Sequence, residues 1–192
     1  MTTIAVKEST AQRLKRLMKA KHAESLDQTI NALIEDAQGI PRSMFGADKS
    51  LRMKLTLAEH EKFQGKSQVE VIDTFAWIEY FAGTGRGERA RPYIESGDAV
   101  TPAIVIAEFT DKYTRERANP EDRLKFIRAK TTIAPLDDET AEAAGRISAE
   151  RRPKVKGWGL VDSCVLAVAR TRGLKVVTGD KHFVGLSDAV MI

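Results

Sequence analysis

Apolar side chains recur along this chain with different periods, and each change of period marks a change of predicted structure. Ile4 and Val6 alternate with Thr3, Ala5 and Lys7, the two-residue period of a short strand. Leu14, Leu17 and Met18 follow at helical spacing behind Ser9 and Gln12, a pair spaced as a capping box. A second box, Ser25 with Gln28, opens a helix whose stripe is Ile30, Leu33, Ile34 and Ala37, and Gly39 with Pro41 end it. Residues 2–38 are therefore expected to run strand, helix, helix. Residues 40–65 carry isolated apolar positions with no sustained period until Thr56 and Glu59 cap a short helix reaching Phe63. That pattern suits a segment that lies on another surface and borrows its core. From Val69 onward, apolar β-branched runs alternate with helical stretches, predicting strands at 69–73, 98–102, 131–136, 174–180 and 188–192. The alternation implies an α/β fold with a mainly parallel sheet covered on both faces.

Composition changes this picture little. The chain has 192 residues, 42% hydrophobic and 30% charged, enough for a real core. A single cysteine, Cys164, excludes an internal disulfide framework and suits a reducing compartment. No apolar run approaches the roughly 18 residues of a membrane span, and no charged-then-apolar leader opens the chain. A cytoplasmic protein without a membrane partner is expected. Charge is more informative: Lys7, Arg13, Lys15, Arg16, Lys19 and Lys21 stand against Glu8 alone in residues 1–22. Such an excess suits contact with nucleic-acid phosphates as well as a solvated helix face.

Four acids share one kind of position. Asp73 ends the run VEVID, Glu108 lies just past the second predicted strand, Asp162 sits near the start of a very apolar helix, and Asp180 follows VVTG. Each is at a strand's carboxyl end or in the first turns of the next helix, and in a parallel sheet these converge on one edge. Carboxylates gathered in one cleft repel, and burial penalises their charged forms unless cations neutralise them. Oxygen donors without a Cys or His cluster suit Mg²⁺ or Mn²⁺ rather than Zn²⁺. Such ions serve phosphoryl chemistry, activating a water and stabilising the leaving oxygen. Taken singly, each acid reads as a helix cap before it reads as a ligand, and it is the joint pattern that reverses this.

With these motifs in view, residues 69–192 resemble a PIN domain, the metal-dependent ribonuclease fold of VapC-type toxins. VIDTFAWIEYF, AEF, GLVDSCVLAVA and VTGDKHF stand in that family's order. The resemblance implies that Asp73, Glu108, Asp162 and Asp180 bind metal and carry catalysis, with Thr74 and Thr178 supporting them by hydrogen bonds and RNA as substrate. Trp158 is open to stacking on RNA or to packing in the core, and His182 to a phosphate contact or a packing role.

The N-terminal pattern resembles a ribbon-helix-helix module, residues 1–39, which pairs two copies through their first strands. That implies a homodimer or higher even oligomer, with Thr3, Ala5 and Lys7 facing operator DNA and the helix start at Ser25 holding a phosphate. Such a module followed by an apolar, basic tail, residues 40–68, resembles a VapB-type antitoxin. In that resemblance Phe45, Leu51 and Leu55 anchor an inhibitory tail on residues 69–192, and Arg52 or Lys54 offers a cation to the acids. The expected molecule is a single-chain antitoxin–toxin fusion, an endoribonuclease held inactive by its own tail. A DNA-binding repressor with a catalytically silent PIN domain is the alternative. A phosphatase with a strand-end Asp nucleophile is disfavoured, because Phe75 stands where that chemistry usually has a second Asp.

Overall fold

The computed structural model describes residues 3–50 and 69–192. The chain divides into two compact units, Met1–Arg42 and Ser43–Ile192.

The first unit holds helices α1 (Glu8–Ala20) and α2 (Leu26–Ala37). Ser25 caps α2 by accepting from the Gln28 backbone N–H at 3.1 Å, while Gln28 Oε1 accepts from the Glu24 N–H at 2.7 Å. The second predicted box therefore forms, shifted by one residue on its return bond. The first does not: α1 begins at Glu8, before Ser9, and its preceding residue Lys7 makes no side-chain cap. Glu8 instead lies in the first turn, where a negative charge favours the helix dipole, and accepts from Gln12 at 3.3 Å. Residues 3–7 form no strand, contrary to the two-residue alternation. The reason is the missing neighbour, since a strand needs a hydrogen-bonded partner and the described residues offer none. Ile4 is 77% exposed and Val6 50%, and no residue of α1 is buried. Two short helices alone cannot hide their apolar stripes.

The second unit is built on five parallel strands. In chain order they are β1 (Val71–Ile72), β2 (Val100–Pro102), β3 (Thr132–Ala134), β4 (Val176–Thr178) and β5 (Ala189–Met191), arranged β3-β2-β1-β4-β5. Each falls within a predicted span, trimmed at its ends. Val71 pairs with Val100 on one side and with Val176 on the other. Helices α3 (Thr74–Ala82) and α4 (Gly85–Glu95) connect β1 to β2, while α5 (Ala103–Arg115) and α6 (Glu121–Lys130) connect β2 to β3. Then α7 (Asp138–Arg151) and α8 (Leu160–Thr171) lead to β4. The chain winds outward from β1 to β3, then returns to β1's other side with β4. Strand order thus reverses between β1 and β4, the kind of switch point beyond whose carboxyl ends open α/β sheets bind their ligands.

The sequence of α8 explains its place. Ser163 to Ala169 are all buried, so this helix is apolar nearly all round and sits inside the fold. An aromatic cluster fills the core around α3: Trp77 stacks on Phe81 at 5.6 Å, and Phe109 stacks on Tyr113 at 4.3 Å. α8 packs against β1 and β4, and α3 against β4. Among the described residues, no helix is long and apolar enough to cross a membrane.

Candidate active site at the sheet switch point

Asp73 leaves β1 and caps α3. Its carboxylate accepts from the Thr74 N–H at 2.7 Å and from the Thr178 hydroxyl at 2.7 Å. Thr178, the last residue of β4, is fully buried, and its oxygen also accepts from the Asp180 N–H at 3.0 Å. One hydroxyl therefore links the ends of the two strands on either side of the topological switch. The Thr74 hydroxyl donates to Glu108 Oε2 at 2.5 Å, tying the start of α3 to α5. Asp162 lies in the first turn of α8 and accepts from the Gly159 N–H at 2.7 Å. Asp180 accepts from the His182 N–H at 2.9 Å. His182 Nδ1 also lies 2.9 Å from Asp180 Oδ1, but makes no hydrogen bond there, so the contact is one of ion-pair distance only.

Electrostatics couples these acids. Burial pushes the Asp73 carboxyl from 3.8 up to about 7; the Thr178 and Thr74 hydrogen bonds oppose the rise, and the charges of Glu108 and Asp162 reinforce it. Burial likewise raises Asp162, with Asp180 and Glu108 adding to the effect and the Gly159 hydrogen bond and His182 opposing it. The four predicted acids thus sense one another at one end of the sheet. Among the described residues, no three Asp, Glu, His or Cys side chains form a ready-made metal cage. The donor set nonetheless fits a hard divalent cation in its chemistry: it is oxygen-only, and the mutual repulsion seen at Asp73 and Asp162 is what such a cation relieves. An ion that keeps much of its water shell needs few direct carboxylate ligands.

Gly179 has a steric role here. A Cβ at this position would stand 2.8 Å from Cδ1 of Phe75, so the Phe75 ring occupies the space a side chain would take. The Arg86 guanidinium lies 5.4 Å from the centre of that ring. Trp158 is core rather than stacking platform: it is buried, 5.2 Å from Phe183, and donates from Nε1 to the Ser163 hydroxyl at 2.7 Å. Thr3, Ala5 and Lys7 are exposed in the first unit and Ser25 caps α2, whereas Phe45 belongs to the second unit. Leu51, Arg52, Lys54 and Leu55 lie outside the described residues.

Sequence reasoning missed Arg151. Its guanidinium stacks 4.5 Å above Trp158 and donates to the His182 carbonyl at 3.4 Å, joining the loop before Asp162 to the turn after Asp180. In the charge-rich run ERRPK nothing distinguished it from a solvated cation.

The sequence model of the PIN domain family matches residues 71–188. The chain belongs to the PIN domain family. Two solved structures share the PIN fold with it. One, described as a toxin-antitoxin complex from Klebsiella pneumoniae, is 20% identical with a TM-score of 0.53; the match spans 64% of this chain and 96% of the other. The second, DNA-bound VapBC from Salmonella typhimurium, is 22% identical with a TM-score of 0.51, over 65% of this chain and 98% of the other. No curated protein matches the chain. All four acids lie within the matched PIN segment, as do Thr74 and Thr178.

Proposed function

We propose that this chain is a divalent-metal-dependent endoribonuclease of the VapC type joined to its own VapB-type antitoxin, with the tail restraining the nuclease. The observation that carries this reading is the coupling of Asp73, Glu108, Asp162 and Asp180 beyond β1 and β4, where an α/β sheet offers its ligand crevice. The PIN family membership and the toxin–antitoxin character of two structural neighbours support it.

In this reading Asp73, Glu108, Asp162 and Asp180 hold Mg²⁺ or Mn²⁺, which when bound supplies a water of lowered pKa and screens charge on the scissile phosphate. The chain's own groups do the rest. Thr178 fixes the Asp73 carboxylate and the Asp180 backbone in one arrangement, and Thr74 does the same for Glu108. Gly159 keeps one Asp162 oxygen oriented while the other remains open to a cation. The hydrogen bonds from Thr178 and Thr74 favour the ionised Asp73 against its burial, keeping it available as a ligand. The basic first unit, with Thr3, Ala5, Lys7 and Ser25, would contact operator DNA once two copies pair, and Arg52 or Lys54 would offer the inhibitory cation.

The test uses the full chain with Mg²⁺ and a panel of RNAs. The parent is expected to be nearly inactive, and Arg52→Glu combined with Lys54→Glu to raise cleavage at least tenfold. Asp73→Asn or a chelator should then abolish it. A folded double variant silent on every RNA, yet still binding DNA, would favour a repressor with an inert PIN domain.

A further inference from the structure

Two of the candidate ligands owe their orientation to backbone donors on segments outside the sheet. The Gly159 N–H donates to Asp162 at 2.7 Å, and the His182 N–H to Asp180 at 2.9 Å. Gly159 closes the loop between α7 and α8, and His182 lies in the short 3₁₀ turn Lys181–Phe183 that follows β4. β4 ends at Thr178 and α8 begins at Leu160, so neither donor is fixed by strand pairing. The separation of Asp162 from Asp180 therefore depends on how this loop and this turn are held together.

Arg151, the last residue of α7, lies at their junction. Its guanidinium is 4.5 Å from the centre of the Trp158 ring, and its Nη2 donates to the His182 carbonyl at 3.4 Å. Trp158 is pinned in turn: its Nε1 donates to the Ser163 hydroxyl at 2.7 Å, which donates to the Gly159 carbonyl at 3.1 Å. The Phe183 ring packs on the same indole at 5.2 Å. Loop and turn also meet where no side chain intervenes, since a Cβ on Gly157, which has φ +89, would stand 3.0 Å from His182 Nε2. A residue that only filled this space would be apolar. Arg151 instead has its Nε buried with no hydrogen-bond partner among the described residues, a cost that packing alone does not explain. What a guanidinium adds is a flat face for the indole together with a donor for the carbonyl.

We infer that Arg151 is a positioning residue for the divalent cation. Flat on Trp158 and bonded to the His182 carbonyl, it fixes the loop that orients Asp162 against the turn that orients Asp180, and so sets the affinity of the acid site for a hard cation of the Mg²⁺ class. It acts through the two acids and not as a ligand, because a guanidinium has no lone pair to offer a metal. The inference rests on the metal-dependent reading of the site and goes beyond it, in assigning a role to a cation outside the acids and their threonines.

The experiment reads metal binding in the absence of RNA, so it does not depend on cleavage. The full chain carrying Arg52→Glu and Lys54→Glu is titrated with Mn²⁺, the free ion being followed by electron paramagnetic resonance. Arg151→Met keeps the stem and loses the flat cation; it is expected to weaken Mn²⁺ binding about 10–100-fold. A packing role alone would lower the melting temperature of the metal-free protein and leave the Mn²⁺ affinity of the folded form as it was. Once Asp162→Asn has removed one of the positioned acids, Arg151→Met should cost less than about threefold further. Full additivity of the two, or unchanged Mn²⁺ affinity in Arg151→Met, would overturn the inference and leave the metal site standing. Arg151→Lys, which keeps the charge and a donor but not the flat face, should lose about threefold or more. It carries the test if Arg151→Met fails to fold, and an unchanged affinity in it would equally overturn the inference. A starting protein that binds no Mn²⁺ at millimolar concentration would overturn it together with the metal-dependent reading.

Discussion

Asp73 illustrates how one residue can be both a burden and a tool. Its carboxyl titrates near 3.8 when unfolded and near 7 in the native chain. Between those values the native state holds a proton that the unfolded state has lost, so stability falls as pH rises through this window. Metal-free protein should therefore melt at progressively lower temperature from pH 5 to pH 8, and Asp73→Asn should flatten that decline. At pH 8 the variant is expected to be more stable by on the order of 1–3 kcal/mol. Under the proposed function, added Mg²⁺ should raise the melting temperature of the parent and leave Asp73→Asn nearly unchanged, because a bound ion would relieve carboxylate repulsion. Thermal melts across pH, with and without Mg²⁺, check both statements. Thr178 acts through its hydroxyl alone: Thr178→Val keeps the shape and removes the link between Asp73 and Asp180. Under the proposed function, and in the Arg52→Glu, Lys54→Glu background where cleavage is released, the substitution should reduce ribonuclease activity about 10–100-fold and raise the Mg²⁺ concentration needed for half-maximal rate.

At the scale of elements, the β4–turn junction is shaped by its neighbour α3. The Gly179 backbone needs no left-handed conformation, so the steric demand comes from Phe75 alone. Gly179→Ala should destabilise the fold by about 1–3 kcal/mol through overpacking. Combining it with Phe75→Leu should recover much of that loss, a coupling that denaturant titration of the two single variants and the double variant would expose. Additive effects would show that Phe75 moves aside freely. The same packing explains what could be read in advance. The five strands were legible because β-branched runs bounded by Gly, Pro and Asp leave few alternatives. The box at Ser25 was legible for the same local reason, whereas the one at Ser9 lost to a helix that begins earlier at Glu8. Arg151 was not legible, because its partners Trp158 and His182 lie 7 and 31 residues away.

The two units stand in different situations as whole bodies. Ser43–Ile192 buries an aromatic and aliphatic core, while Met1–Arg42 leaves Ile4 and Val6 ahead of α1, and Leu17, Ile30 and Ile34 on its helices, exposed. Apolar exposure on so small a unit is relieved by association, and the proposed association is with a second copy on DNA. Under that proposal Lys7→Ala should weaken operator binding and lower the slope of log affinity against log salt by about one. An unaltered slope in a filter-binding or anisotropy titration would remove Lys7 from the phosphate contacts.

The sequence by itself determined the alternation of strands and helices and the placement of the four candidate acids at strand ends or in the first turns of the following helices. These are local properties, set by the period of apolar residues and by what may follow a strand. Tertiary structure decided which boundaries meet. Strand order β3-β2-β1-β4-β5 brings Asp73 and Asp180 to one switch point, and packing at the end of α3 creates a buried seat for Asp48. In the sequence Asp48 is one acid in a basic stretch; only the convergence of Tyr113 and Arg123, 65 and 75 residues further on, makes its burial favourable.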